Sequence, residues 1–152
     1  MSDEEENIPQ DEQQKNPDDN AEEEQEEEQN DLMYIYEWVD QIQLSRSKKS
    51  ISRDFSDGVL LAEIIKHYLP RLVELHNYPD ANSAKLKLVN WETLNKKVLR
   101  KIGIKMTKEE VNDIITYKQF AIEKLLARVY EAIQNTTGIN IVLAQIQLAE
   151  RL

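Results

Sequence analysis

The chain has 152 residues, carries 29 Asp/Glu against 19 Lys/Arg, and lacks cysteine. That length leaves room for about one domain, and the missing cysteine excludes a disulfide framework, thiolate metal sites and cysteine catalysis. No apolar run approaches the ~18 residues of a membrane span, and the acidic, polar N-terminus is unlike a signal peptide, so an intracellular, soluble protein is expected.

The charge is divided unevenly. Residues 1–31 hold 15 Asp/Glu against one Lys, a net of −14, and only Met1, Ile8 and Ala21 to bury. Ordering a backbone costs ~1–2 kcal/mol per residue, so residues 1–30 read as a disordered acidic tail. The other 121 residues hold 18 Lys/Arg against 14 Asp/Glu, a basic body with a net of +4. A body of that size buries roughly two-thirds of its unfolded surface, enough for its own core.

The body reads as helical throughout. A first helix starts near Asn30 or Asp31, with Leu32, Ile35, Tyr36, Val39 and Ile42 at helical spacing and Trp38 on the flank. A connector from Ser45 to Arg53 follows, with four cations (Arg46, Lys48, Lys49, Arg53) and no anion; an exposed loop is expected. In residues 57–69 the apolar positions cover about 200° of the circumference. Leu61 and Ile65 lie within that arc, and Glu63, Lys66 and Val59 lie opposite. Such a broad apolar face predicts a central helix covered on several sides. Pro70 stops it.

A helix from about Ser83 to Lys101 carries Trp91, Leu94, Val98 and Ile102 as its core stripe, flanked by Leu88 and Asn95, with Gly103 as stop signal. Lys85, Lys96 and Arg100 project together on the other side, and Lys97 and Lys101 form a second outward row. Thr107 and Glu110 read as a capping box opening a short helix through Ile115. A longer helix, about 118–134, ends at Asn135–Gly138. Residues 135–152 form a helix-compatible C-terminal extension that packs back or reaches a partner. Trp38, Leu61, Ile65, Trp91, Leu94 and Val98 are the expected core.

No catalytic or metal-binding pattern stands out. Asp57-Gly58 lacks the further carboxylates of a calcium loop, and no phosphate-loop glycine pattern exists. It reads as a helix start, with Ser56 or Asp57 capping and Gly58 allowing close packing. His67 and His76 lack the neighbours of a zinc site. No enzyme activity and no cofactor are expected.

Trp38, the run from Asp57 to Ile65, and Asn90-Trp91-Glu92-Thr93-Leu94-Asn95 resemble a calponin-homology (CH) domain. Leu44-Ser45-Arg46 with the run from Ser52 to Gly58, then His76-Asn77-Tyr78, then Asn90-Trp91 with the run from Leu94 to Leu99, are similar to the sperm flagellar protein 1 family, also called calponin-homology and microtubule-associated protein. The likeness covers about residues 32–133. It implies an all-α CH-type bundle of four main helices over residues 31–134, and binding along microtubules in cilia and flagella. It also implies that basic connector residues contribute to that binding, which map onto Arg46, Lys48, Lys49 and Arg53. Members of the family usually continue into a C-terminal coiled coil. Residues 139–152 supply at most two heptads, too few for a stable one. The acidic tail lies outside the shared pattern.

Charge alone leaves two readings open, a solvated helix face with ordinary lysines and a basic face for an acidic partner, and the resemblance favours the second. Residues 45–108 hold 14 Lys/Arg against six Asp/Glu, a net of +8. Tubulin exposes acidic C-terminal tails, which steer toward a basic face. The candidate microtubule contacts are therefore Arg46, Lys48, Lys49, Arg53, Lys85, Lys96, Lys97, Arg100 and Lys101, in a structural protein of the axonemal cytoskeleton. Other axonemal proteins are candidate partners through residues 139–152 or the acidic tail, and the tail is also a candidate competitor for the basic face. The alternatives are an actin-binding CH module, although actin affinity usually requires two such domains in tandem, and an adaptor that binds another protein. A nucleic-acid partner is not expected: neither a helix-turn-helix signature nor an aromatic-lined sheet is legible.

Overall fold

The computed structural model describes residues 17–46, 49–138 and 140–151. They fall into two units, one ending at Asp31 and the other running from Leu32.

In the first unit, Pro17–Asp31 forms helix α1, with no buried residue. Residues 17–30 of the expected acidic tail are wound in this helix, which buries nothing; residues 1–16 lie outside the described part. Local propensity accounts for this helix. Pro17 occupies the first helical position, Asp18 and Asp19 sit in the first turn where the helix dipole favours anions, and the Glu/Gln run has good helix propensity.

The described residues of the second unit form an all-helical bundle. Its helices are α2 (Met33–Gln41), α3 (Ile51–Asp54), α4 (Val59–Tyr68), α5 (Ala84–Lys97), α6 (Lys108–Ile115), α7 (Ala121–Thr137) and α8 (Ile141–Glu150), with 3-10 turns at Leu75–Asn77 and Leu99–Ile102. Helix α4 is the central element. Leu60, Leu61, Ala62, Ile64 and Ile65 are all fully buried, and Val59, expected on the polar side, is buried too. Helices α2 and α4 both pack on α7, whose buried stripe is Ile122, Leu125, Leu126, Val129 and Ile133. Trp38, Trp91, Leu94 and Val98 are each at most 1% exposed. Trp38 is enclosed from its flank: its indole N–H donates to the Tyr68 hydroxyl at 2.9 Å, and its ring meets Tyr130 edge-on at 5.0 Å.

Several boundaries differ from the sequence expectation for identifiable reasons. Helix α2 begins at Met33 behind Leu32, without a side-chain cap, because Asn30 and Asp31 are the last residues of α1. The helix expected to reach Lys101 ends at Lys97, and Leu99–Ile102 winds as a 3-10 turn. In a 3-10 turn, residues three apart eclipse one another; Leu99 and Ile102 thereby both enter the core. Leu88, expected beside the stripe, is exposed. Other signals act where they stand in the chain. The Ser83 hydroxyl caps α5 by accepting from the Leu86 N–H. Thr107 and Glu110 form a reciprocal capping box. Gly138 closes α7 in the left-handed conformation.

Candidate functional site

The charged surface is organised around the entry to α4. Gly58 has φ +81°, and a Cβ there would lie 2.8 Å from Leu94 Cδ1. Only glycine lets this turn sit on α5. The turn is fixed by polar bonds from three directions. The Trp91 indole N–H donates to the Ser56 carbonyl at 2.8 Å, and the Asn90 amide donates to the carbonyls of Asp57 and Pro79 at 3.0 and 2.8 Å. The Asp57 carboxylate, itself buried, accepts from the N–H groups of Val59 and Ala81 at 3.1 and 3.2 Å.

Asp57 also accepts both arms of the Arg46 guanidinium, Nη1 to Oδ1 at 3.1 Å and Nη2 to Oδ2 at 2.7 Å. Arg46 further bonds the Asp54 carbonyl and the Asp80 carboxylate. The bonded Asp57 carboxylate is the main influence raising the Arg46 pKa above its ordinary value; burial opposes it and Asp80 adds to it. Arg46 is thus engaged inside the protein, joining the connector to the α4 entry and to the loop before α5. The connector is also not a simple exposed loop: Ile51–Asp54 is helical, and Ile51 packs against the core.

The remaining candidate cations occupy separate places. Lys96 and Arg100 line one groove with Glu92, Asn95 and Lys105. The Asn95 amide builds this groove: its nitrogen donates to the Met106 carbonyl at 3.1 Å and its oxygen accepts the Met106 N–H at 2.9 Å. That pairing holds Lys105 beside α5. Lys97 and Lys101 are exposed near the end of α5, and Lys85 is exposed at its start near exposed Leu86 and Val89. Lys49 is exposed and lines a shallow hollow with Tyr36, Asp40 and Ile51. Lys48 lies outside the described residues.

A second cleft, between the connector and the start of α5, contains Arg53 together with two residues that the sequence reading did not single out. Lys87 is only 7% exposed. Its Nζ donates to the Tyr117 hydroxyl at 2.9 Å and lies 4.8 Å from the centre of that ring; the Arg53 guanidinium stands 5.4 Å from the same centre. These are cation–π distances. Lys87 is the main influence holding the Tyr117 hydroxyl below its usual pKa; burial opposes it, and Ser56 and then Arg53 add to it. A signal for Lys87 existed in the sequence: it precedes Trp91 by one helical turn and Leu94 by two, so it is a cation on the core-facing side of α5. Lys105 carried no comparable signal, because its placement depends on the Asn95–Met106 pairing.

Among the described residues, no three His, Cys, Asp or Glu side chains converge as metal ligands, and no helix is long and apolar enough to cross a membrane. His76 faces Glu74 at 3.4 Å with both side chains exposed, and His67 stacks edge-on against Tyr68. Tyr36, beside Lys49 in the shallow hollow, makes a partly buried polar pair: its hydroxyl donates to Glu123 Oε2 at 2.9 Å, while the buried Glu123 Oε1 has no hydrogen-bond partner.

The chain is similar to sperm flagellar protein 1 from several animals. The Xenopus laevis protein is 43% identical over 106 residues, covering 70% of this chain and 46% of its own length. The Bos taurus protein is 48% identical over 95 residues, covering 62% of this chain and 40% of its own. The Homo sapiens protein is 47% identical over 95 residues, with 62% and 40% covered. The chain therefore spans less than half the length of the curated relatives it matches. Residues 35–131 match the family profile described as the CH-like domain in sperm protein, a span that holds the α4 entry, all of α5 and both clefts. A bundle centred on a buried α4, the Trp91 anchor beneath its entry and this match together place the chain in the family of CH-like domains of sperm flagellar protein 1.

Proposed function

We propose that this domain binds microtubules, as a non-catalytic structural component of cilia and flagella. The observation that carries the reading is the groove of Lys96, Arg100 and Lys105, with Lys97 and Lys101 exposed nearby. A cluster of solvated cations suits the acidic tails of tubulin, which it would draw in by long-range attraction. The relatives named for the sperm flagellum support the location. Arg53, Lys49 and Lys85 extend the basic surface; Lys48 belongs to the same connector. Arg46 contributes by holding the connector in place.

Helix α8 is a candidate surface for further axonemal partners. Its first residue, Ile141, is buried, while Leu143, Ile146 and Leu148 are exposed.

The test is cosedimentation with stabilised microtubules and, in parallel, with actin filaments, across a salt series. A Lys96/Lys97/Arg100/Lys101→Ala variant of unchanged thermal stability is compared with wild type. The reading expects microtubule pelleting that weakens with salt, since the Debye length is only ~8 Å at physiological ionic strength, and that falls in the variant. Pelleting with actin alone establishes the actin-binding alternative. Pelleting with neither polymer leaves an adaptor that meets the cytoskeleton through another protein.

A further inference from the structure

We propose that the cleft formed by Arg53, Lys87 and Tyr117 is a carboxylate-binding site that takes an acidic side chain of a protein partner, here a glutamate of an acidic tubulin tail. The identity of the acid rests on the microtubule reading; the binding of a carboxylate rests on the cleft itself.

Lys87 carries most of the weight. A buried ammonium is costly unless an anion accompanies it. As a residue Lys87 is 7% exposed, its ammonium partly so at the cleft, and among the described residues the direct partners of that ammonium are only the hydroxyl and the ring face of Tyr117, both neutral. One of its three N–H donors is used on the hydroxyl, which leaves capacity for a second acceptor. Arg53, on the same ring, supplies a further cation.

Three aspartates also line this cleft, and each already has partners. Asp57 and Asp80 accept the Arg46 guanidinium, and Asp54 accepts the Ser50 N–H at 3.0 Å. The placement of Tyr117 is itself unusual. It has φ +63°, left-handed for a non-glycine residue, and is 43% exposed. Such a conformation costs of order 1–3 kcal/mol and persists where surrounding structure imposes it. Here it brings a hydroxyl that can donate to a carboxylate next to the one buried ammonium-bearing side chain among the described residues.

The decisive experiment is an amide NMR titration of the full chain with a hexaglutamate peptide. A hexaglutamine peptide at matched ionic strength serves as control. The expected result is saturable shifts at Ser56, Asn82 and Tyr117 with hexaglutamate alone. Lys87→Met, which keeps the apolar stem, should weaken that binding about tenfold or more, as expected for one lost charge-assisted hydrogen bond. Tyr117→Phe should weaken it less. Shifts confined to Lys96–Lys101, or unchanged affinity in Lys87→Met, would overturn the site. If Lys87→Met loses its dispersed spectrum, the wild-type shift map and Tyr117→Phe decide the matter. Microtubule cosedimentation of wild type separates the two claims. Hexaglutamate bound in the cleft without pelleting overturns the tubulin assignment and leaves the carboxylate site standing. Pelleting without any effect of hexaglutamate on the cleft does the reverse.

Discussion

Arg46 and Asp57 meet through two parallel hydrogen bonds of 3.1 and 2.7 Å, and Asp57 at the same time accepts the Val59 N–H at the start of α4 and the Ala81 N–H. A cation that belongs by sequence to an exposed basic run is thereby a fastener between three segments. Removing it leaves a carboxylate with a 5% exposed side chain without its ion-pair partner. We expect Arg46→Ala to destabilise the domain by about 2–4 kcal/mol in urea unfolding, near the range for breaking a buried pair. Arg53→Ala should leave the unfolding midpoint nearly unchanged. Equal midpoints for the two variants would show that the Arg46–Asp57 pair adds little. Loss of microtubule binding in an Arg46 variant is informative only when stability is measured alongside it.

Gly58→Ala tests the close approach of α4 to α5. The new Cβ would stand 2.8 Å from Leu94 Cδ1 and 3.5 Å from Trp91, on a backbone at φ +81°. Strain and overpacking add, so a loss of about 1–3 kcal/mol is expected. Gly103→Ala has an equally left-handed backbone but no atom within 4 Å of its Cβ. It should cost less, and the difference between the two variants in thermal unfolding isolates the packing contribution.

Trp91 is fully buried and donates to the Ser56 carbonyl. Trp91→Ala should cost ~3–5 kcal/mol, a large part of a small domain's stability. Trp91→Phe keeps most of the ring volume and loses the hydrogen bond. It should cost less, and a variant as unstable as Trp91→Ala would show that the polar contact dominates.

Tyr36 gives the fold a dependence on alkaline pH. Burial first, and then the Glu123 carboxylate that its hydroxyl contacts, push its pKa up to about 12. An unfolded tyrosine titrates near 10. The folded state therefore disfavours the phenolate. Its contribution is complete below pH ~10 and is lost as pH rises from there through about 12. Stability measured across that window should fall, and Tyr36→Phe should fall less steeply. Parallel slopes for the two proteins would exclude Tyr36 as the source.

The acidic N-terminal segment, with 15 Asp/Glu up to Asp31, is covalently tethered to a basic body. Tethering raises the effective concentration of one charge set near the other. We expect deletion of residues 1–30 to strengthen microtubule binding at low salt and to have less effect at high salt, where screening removes the competition. Unchanged or weaker binding after deletion would discard the idea that this segment competes with tubulin.

The sequence alone determined what depends on neighbours within a few turns. Trp91, Leu94 and Val98 recur at helical spacing and are buried. Thr107 and Glu110 are three apart and form the capping box, and Pro70 and Gly138 stand just beyond the ends of α4 and α7. Helix α1 belongs to the same local category, since it buries nothing and rests on helix propensity and the charges of its first turn. Tertiary structure decided which charges are available. Arg46 pairs with Asp57 and Asp80, 11 and 34 residues away, which no local pattern signals. Lys105 joins the α5 groove only because Asn95 holds Met106, and Lys87 meets Arg53 only across the Tyr117 ring. Periodicity reports which side of a helix faces inward. The state of a charge depends on what the chain brings to it from a distance, and the packing of α4 against α5 and α7 sets that arrangement.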